Sequence, residues 1–311
     1  MNRLSATRID SSGQMVAILL LIQGSMMFAQ GAHPSGDLRR SRVCSSVPTC
    51  LHLLTGNPNN VAALEQLGLA YDNIHQYQKA QTALSSAAKL DSTSARIQYE
   101  LAGIEEELHQ PERALEAYRR SVALDPYSPT TLLNLGATYA ELHRYDDAIR
   151  AYRTVITLKP DYGKAYYDLG NAYSDLKQHE QARRAFVDAV QLMPADANAH
   201  YNLGVELDEL ENHSEALAEY EKAARLKPRN AEIQFNLGNG YHRTARYAEA
   251  AKAFSVVTQL SPRDARAHYM LGDCYVRLRQ RESALAEYRK LKELDAAMAA
   301  DLLNVISETR P

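Results

Sequence analysis

The chain has 311 residues, 35 of them basic and 38 acidic, for a formal net charge of −3. A balance this even excludes a general nucleic-acid footprint, which requires a basic face. Nineteen tyrosines stand against four phenylalanines and no tryptophan, and most of the tyrosines fall in recurring slots rather than in one aromatic site.

The first segment differs from everything after it. Arg3 and Arg8 precede an apolar run over 15–22, followed by Gln23, Gly24 and Ser25 and then by Met26, Met27, Phe28 and Ala29. A membrane span needs about 20 consecutive apolar residues, and this run is shorter and interrupted. A basic start, an apolar centre and small exit residues are the layout of a secretory signal. Residues 1–31 are therefore expected to be a signal peptide, cut after Ala29 or Gly31. The mature chain would be periplasmic or extracytoplasmic, with no stable membrane span. Asp10 is unusual in such a leader, and an uncleaved anchor or a cytoplasmic chain with a misassigned start remain the alternatives.

Residues 32–45, rich in Ser, Gly and Arg, read as a flexible linker. Residues 46–60 read as a half-repeat, with a lone helix over 47–54 and Pro58 where a closing proline belongs. Cys44 and Cys50 are six residues apart. In an exported chain they could form a small disulfide, and otherwise they stay as two thiols.

From residue 61 a period of 34 residues takes over. Gly68, Gly136, Gly170, Gly204, Gly238 and Gly272 keep this register, with Ala102 in the one missing place. Each sits in a helical pattern, where glycine costs about 1 kcal/mol against alanine. A recurring cost needs a recurring reason, namely a contact between two helices too close for a larger side chain. Leucine precedes every small slot, from Leu67 to Leu271. Three residues after it stand Tyr71, Glu105, Tyr139, Tyr173, Leu207, Tyr241 and Tyr275. Twelve after it is always alanine, from Ala80 to Ala284. Sixteen after it comes a large residue: Leu84, Tyr118, Tyr152, Phe186, Tyr220, Phe254 or Tyr288. Pro126, Pro160, Pro194, Pro228 and Pro262 close five copies, because proline cannot continue a helix. Each unit thus predicts two amphipathic helices with facing apolar stripes.

These slots resemble the tetratricopeptide repeat closely over residues 61–294, as seven units. The resemblance implies an all-α, right-handed superhelical solenoid of seven antiparallel helix pairs. First helices would line a concave groove and second helices the convex face. Residues 295–311 complete the array as a capping helix, with Met298, Leu302, Leu303 and Ile306 at helical spacing over 297–309. Terminal repeats need such covers for solubility. Cys274 lies in the last first helix, where cysteine behaves as a small buried hydrophobe.

No phosphate-binding glycine loop, Gly-x-Ser-x-Gly, His-Glu-x-x-His or Cys-x-x-Cys occurs, and 17 residues after the last repeat are too few for a catalytic domain. The reading is therefore no enzyme, no catalytic residues, no cofactor and no metal. His75, His109 and His143 share one turn position in successive units, with His179 and His213 nearby. Stacked helices lie about 8–10 Å apart, too far for such rungs to meet on one ion, so they read as solvated turn residues.

By the family's geometry, two places face the groove. Two residues before the small slot stand Gln66, Glu100, Asn134, Asp168, Asn202, Asn236 and Met270. One residue after it stand Leu69, Gly103, Ala137, Asn171, Val205, Asn239 and Asp273. Asn134, Asn202 and Asn236 are similar to the asparagine ladder in the repeat arm of O-linked N-acetylglucosamine transferases; Asp168 interrupts it. An amide can donate to and accept from one peptide residue, so Asn134, Asp168, Asn171, Asn202, Asn236 and Asn239 are the candidate peptide-binding residues. The basic element of chaperone-tail clamps is missing from Glu65, Tyr99, Leu133, Tyr167, Tyr201, Phe235 and Tyr269, whose expected role is packing between units. Acidic residues such as Glu105, Glu106, Glu206 and Asp208 crowd the middle first helices, and arginines crowd the last two units. The functional expectation is a non-catalytic scaffold binding an extended peptide or a partner helix. The alternatives are an exported envelope or pilus assembly factor, and an accessory arm for a separate glycosyltransferase.

Overall fold

The computed structural model describes residues 43–308, so the expected signal peptide and most of the linker lie outside the described residues. Sixteen α-helices and no strand occur among them. A short helix, α1 (Val47–Gly56), precedes seven pairs: α2 (Val61–Asp72) with α3 (Tyr77–Leu90), α4 (Ala95–Glu107) with α5 (Pro111–Leu124), and α6 (Pro129–Glu141) with α7 (Tyr145–Leu158). Then come α8 (Gly163–Asp175) with α9 (His179–Leu192), α10 (Ala197–Glu209) with α11 (His213–Leu226), α12 (Ala231–Arg243) with α13 (Tyr247–Leu260), and α14 (Ala265–Arg277) with α15 (Arg281–Leu294). A final helix, α16 (Ala296–Glu308), packs on α14 and α15. Each helix packs chiefly on those before and after it in sequence. The fold is an all-α solenoid of repeated helix pairs.

Local chemistry places each boundary. Asn60, Ser94, Ser128, Asp196, Asn230 and Asp264 cap the first helices, their side-chain oxygens accepting a backbone N–H three residues on. Tyr162 holds that place in the fourth unit and makes no such cap. The first helices end in a left-handed residue: His75, His109, His143, Lys177, Glu211, Ala245 and Arg279, at φ from 55° to 61°. The next N–H reaches five residues back to the tyrosine-slot carbonyl, as Gln76 to Tyr71 (2.9 Å) and Arg246 to Tyr241 (2.9 Å), which is the Schellman turn. None of the seven is glycine, so the turn is stabilised against the usual preference of its most demanding position. His75 and His143 gain a bond to the tyrosine two residues on, at 2.8 and 2.9 Å. Ala245 gains nothing comparable. Left-handed backbone costs a residue with a Cβ roughly 1–2 kcal/mol, and glycine's unfolded-state entropy offsets part of that. Ala245→Gly should therefore stabilise the sixth unit by about 0.5–1 kcal/mol, read as slower local hydrogen exchange in α12 and α13.

The small slots are as tight as expected. A Cβ on Gly136, Gly170, Gly204 or Gly238 would lie 2.5–2.7 Å from the ring of Tyr152, Phe186, Tyr220 or Phe254. Gly68 stands equally close to Leu84. The last unit departs from this pattern: Gly272 receives Leu302 of α16, not Tyr288 of its own second helix. In α16, Ala299, Leu302 and Ile306 are buried, while Leu303 stays 38% exposed. Cys44 and Cys50 form a disulfide with Cα atoms 5.1 Å apart. Cys274 is free and fully buried, and burial pushes its thiol up to about 12.

Two buried histidines tie second helices to their neighbours. His200 lies 2.6 Å from Glu219 through Nδ1 and 3.1 Å from the Pro194 carbonyl through Nε2. His268 repeats this with Glu287 (2.6 Å) and Pro262 (3.0 Å). Between them Gln234 donates to the Pro228 carbonyl (3.1 Å) without any acid, and Ala253 stands where the glutamate would be.

Candidate peptide-binding groove

The asparagines two places before the small slot turn out to join units. The Asn134 amide donates to the hydroxyls of Tyr99 and Tyr118, both at 3.3 Å. Asn202 donates to the Tyr167 hydroxyl (3.3 Å) and to Asn171 Oδ1 (2.9 Å). Asn236 donates to the Tyr201 hydroxyl at 2.7 Å. Tyr99, Tyr167 and Tyr201 each lie 35 residues before their asparagine, in the preceding unit. Where that place holds Leu133 or Phe235, the partner position is Asp168 or Met270. Asparagine thus follows the hydroxyl. Asp168 instead takes the Lys164 ammonium at 2.9 Å; burial raises its carboxyl above the ordinary range, with Lys164 opposing.

The aromatic rings of this ladder also pack inward. Tyr99, Tyr167, Tyr201 and Phe235 lie 5.5–5.9 Å, centroid to centroid, from Tyr118, Phe186, Tyr220 and Phe254. These are the separations of favourable ring pairs. Each of these ring pairs lies within one unit, so the row packs first helix on second helix and reaches the next unit through the Tyr99, Tyr167 and Tyr201 hydroxyls.

Amides one place after the small slot are less committed. Asn171 accepts from Asn202 through Oδ1, which leaves its NH2 without a protein partner among the described residues. The Asn239 amide makes no side-chain hydrogen bond there. Both residues are half-buried and lie two units apart. In the last unit the same place holds Asp273, gripped by His242 Nε2 at 2.6 Å and near Arg277. Burial would raise that carboxyl, but His242 and Arg277 outweigh it and hold it below the ordinary range.

Several acids of the middle first helices are interior. Glu105 and Glu206 are 6% and 2% exposed. Glu105 accepts from Gln81 (2.8 Å), and Glu206 accepts from Ser174 (2.6 Å) and lies 2.9 Å from His179. Glu106 takes the hydroxyls of Tyr118 and Thr138, both at 3.0 Å. Burial raises the Glu106 carboxyl against these two bonds. Asp208 accepts from Tyr220 (3.1 Å) and from Arg243 (2.7 Å). A sequence signal existed for part of this: Tyr118 and Tyr220 each follow their acid by 12 residues. Among the described residues, no three metal-ligating side chains come together and no helix is long and apolar enough to cross a membrane.

Tetratricopeptide repeat models match residues 49–82, 93–161, 128–195, 209–244 and 241–304, three-quarters of the chain. The chain belongs to the tetratricopeptide repeat family. Repeat arrays of this family are generally non-catalytic and bind protein partners and peptides. Among solved structures, MamA from Desulfovibrio magneticus RS-1 (residues 41 to the end) is similar at 26% identity and a TM-score of 0.51, over 55% of this chain and 96% of that one. YrrB, described as a repeat protein with an unusual peptide-binding site, aligns at 24% identity and a TM-score of 0.57, over 61% of this chain and 99% of its own. A repeat protein from Cytophaga hutchinsonii shares the fold at 18% identity and a TM-score of 0.61, over 72% of this chain and 93% of that one. No curated protein sequence matches the chain.

Proposed function

We propose that this repeat protein is a non-catalytic scaffold that holds an extended peptide in its concave groove. The observation that carries the reading is the pair of uncommitted amides, Asn171 and Asn239. In the family's geometry they project into the groove from first helices two units apart. Stacked helices lie about 8–10 Å apart and a strand rises about 3.3 Å per residue, so the two amides match peptide groups roughly six residues apart. Each amide can donate to a carbonyl and accept from an N–H. Asn202 and Asn236 support the same peptide through their remaining oxygens, while Asn134 and Asp168 act mainly within the array.

The test is peptide-array binding followed by titration of the best peptide. Asn171→Ala and Asn239→Ala should each weaken binding by about 3–10-fold, the worth of one net hydrogen bond; thermal unfolding should be unchanged in Asn239→Ala, whereas Asn171→Ala also loses the bond from Asn202. Unaltered affinity in both variants would sink the reading. Asn134→Ala should instead loosen the joint between units two and three.

The Cys44–Cys50 disulfide favours an exported protein, because such bonds persist in oxidising compartments. On that reading the groove serves assembly outside the inner membrane. Fractionation together with sequencing of the mature N-terminus tests it, and a full-length cytoplasmic product excludes it. The accessory-arm reading drew on Asn134, Asn202 and Asn236, whose amides are engaged between units, and we do not carry it further.

A further inference from the structure

One joint breaks the tyrosine–asparagine pattern with two acids. Glu65 stands where later units have Tyr99, Tyr167 and Tyr201, and Glu100, 35 residues on, stands where they have asparagine. Glu65 is 5% exposed, and the Glu100 side chain 13%. One guanidinium serves both: Arg96 binds Glu65 directly, and its Nε lies 3.1 Å from Glu100 Oε1. The other oxygen, Glu100 Oε2, is closed off from solvent and has no hydrogen-bond partner.

Two carboxylates on one cation leave a negative charge uncompensated, and a buried unpaired charge is strongly disfavoured. A single proton removes the conflict. It turns carboxylate repulsion into an O–H···O bond, so the acids then join α2 to α4 as hydroxyl and amide join the later units. The charged groups acting on Glu100 are Glu65 from α2 and Arg96 from its own helix. Burial first, and then the charge of Glu65, hold the Glu100 carboxyl well above the usual range, against the pull of Arg96.

We propose that Glu65 and Glu100 form a proton-dependent latch, fastening α1, α2 and α3 to the rest of the array in acid and releasing them as pH rises. The direction follows from proton counting. A glutamate exposed to water, as Glu100 becomes once the first unit opens, loses its proton near pH 4.3, whereas Glu100 in the closed joint keeps it to about 8. The closed state therefore binds more protons between these limits. Its stabilisation is complete below the lower limit and is lost as pH climbs through the upper one. One proton released per opening raises the opening constant by at most about tenfold per pH unit. Repeat units lean only on their neighbours, so the terminal unit can open while the others stay closed. This latch does not depend on the groove binding a peptide.

Hydrogen-exchange protection factors, corrected for intrinsic rates, test it at about pH 5, 6.5 and 8. In the unmodified protein, amides of α2 and α3 should lose tenfold or more of their protection across this range, while α10 and α12 hold theirs. Glu100→Gln keeps a hydrogen bond without the titration and should flatten the profile. The double variant Glu65→Tyr with Glu100→Asn installs the pair used by Tyr167 and Asn202, and should be flat and well protected even if the single variant folds poorly. A flat profile in the unmodified protein, or an equal slope in the double variant, overturns the proposal.

Discussion

Gly170→Leu is expected to lower the stability of the fourth unit by about 1–3 kcal/mol, despite leucine's better helix propensity. Propensity favours the change by about 1 kcal/mol, so a net loss requires that packing oppose it by more. The geometry supplies this. Even a methyl at residue 170 would lie 2.6–2.8 Å from three atoms of the Phe186 ring. That ring is fully buried and held edge-to-face by Tyr167 at 5.9 Å. It cannot swing away as an exposed side chain would, so α8 and α9 must separate. Since units contact only their neighbours, the damage should stay near the substitution. Hydrogen exchange should speed up across α8, α9 and α10 and remain nearly unchanged in α14 and α15. Uniform acceleration along the whole array would count against the quasi-one-dimensional picture.

Leu302→Ala should be at least as severe, at about 2–5 kcal/mol for a fully buried leucine emptied to a cavity. Leu302 is 0% exposed and enters the notch at Gly272, its Cδ2 2.5 Å from where a Cβ would stand. In five earlier units the second helix of the same unit fills that notch with a ring or a leucine. The seventh unit depends on α16 for it. Removing the side chain should uncover Gly272 and the fully buried Leu291, which shares its cluster. The expected readout is early melting and fast exchange of α14, α15 and α16. Unchanged exchange across these three helices would show that α16 is not what seals the end.

The periodic scaffold was legible because its slots are set by contacts within one unit. Gly136 with Tyr152, or Gly204 with Tyr220, always lie 16 residues apart, and every copy repeats the evidence. The burial of Ala80, Val155 and Leu291 follows from the same register. What the groove residues do was less legible, because it depends on the unit before. Asn134, Asn202 and Asn236 look alike and suggest a ligand ladder, yet the residue that engages each lies 35 positions earlier. The correlation of asparagine with that tyrosine was present in the letters, but it has meaning only once neighbouring first helices are known to face each other at that offset. Glu105 and Glu206 were illegible for another reason. A glutamate in a helical pattern reads as solvated, and only the arrival of Gln81 or of Ser174 and His179 makes its burial tolerable.

Helix boundaries, the repeat and the all-α class follow from residue order alone, because capping, proline and small-slot effects act over a few turns of one chain segment. Three things were decided only by tertiary contact: which glycine receives the last helix, which groove amides bond across units, and which acids meet on one arginine. Each turns on side chains from different units meeting away from water, where a hydroxyl, an amide or a charge must find a partner nearby, and local sequence does not say which partner that is.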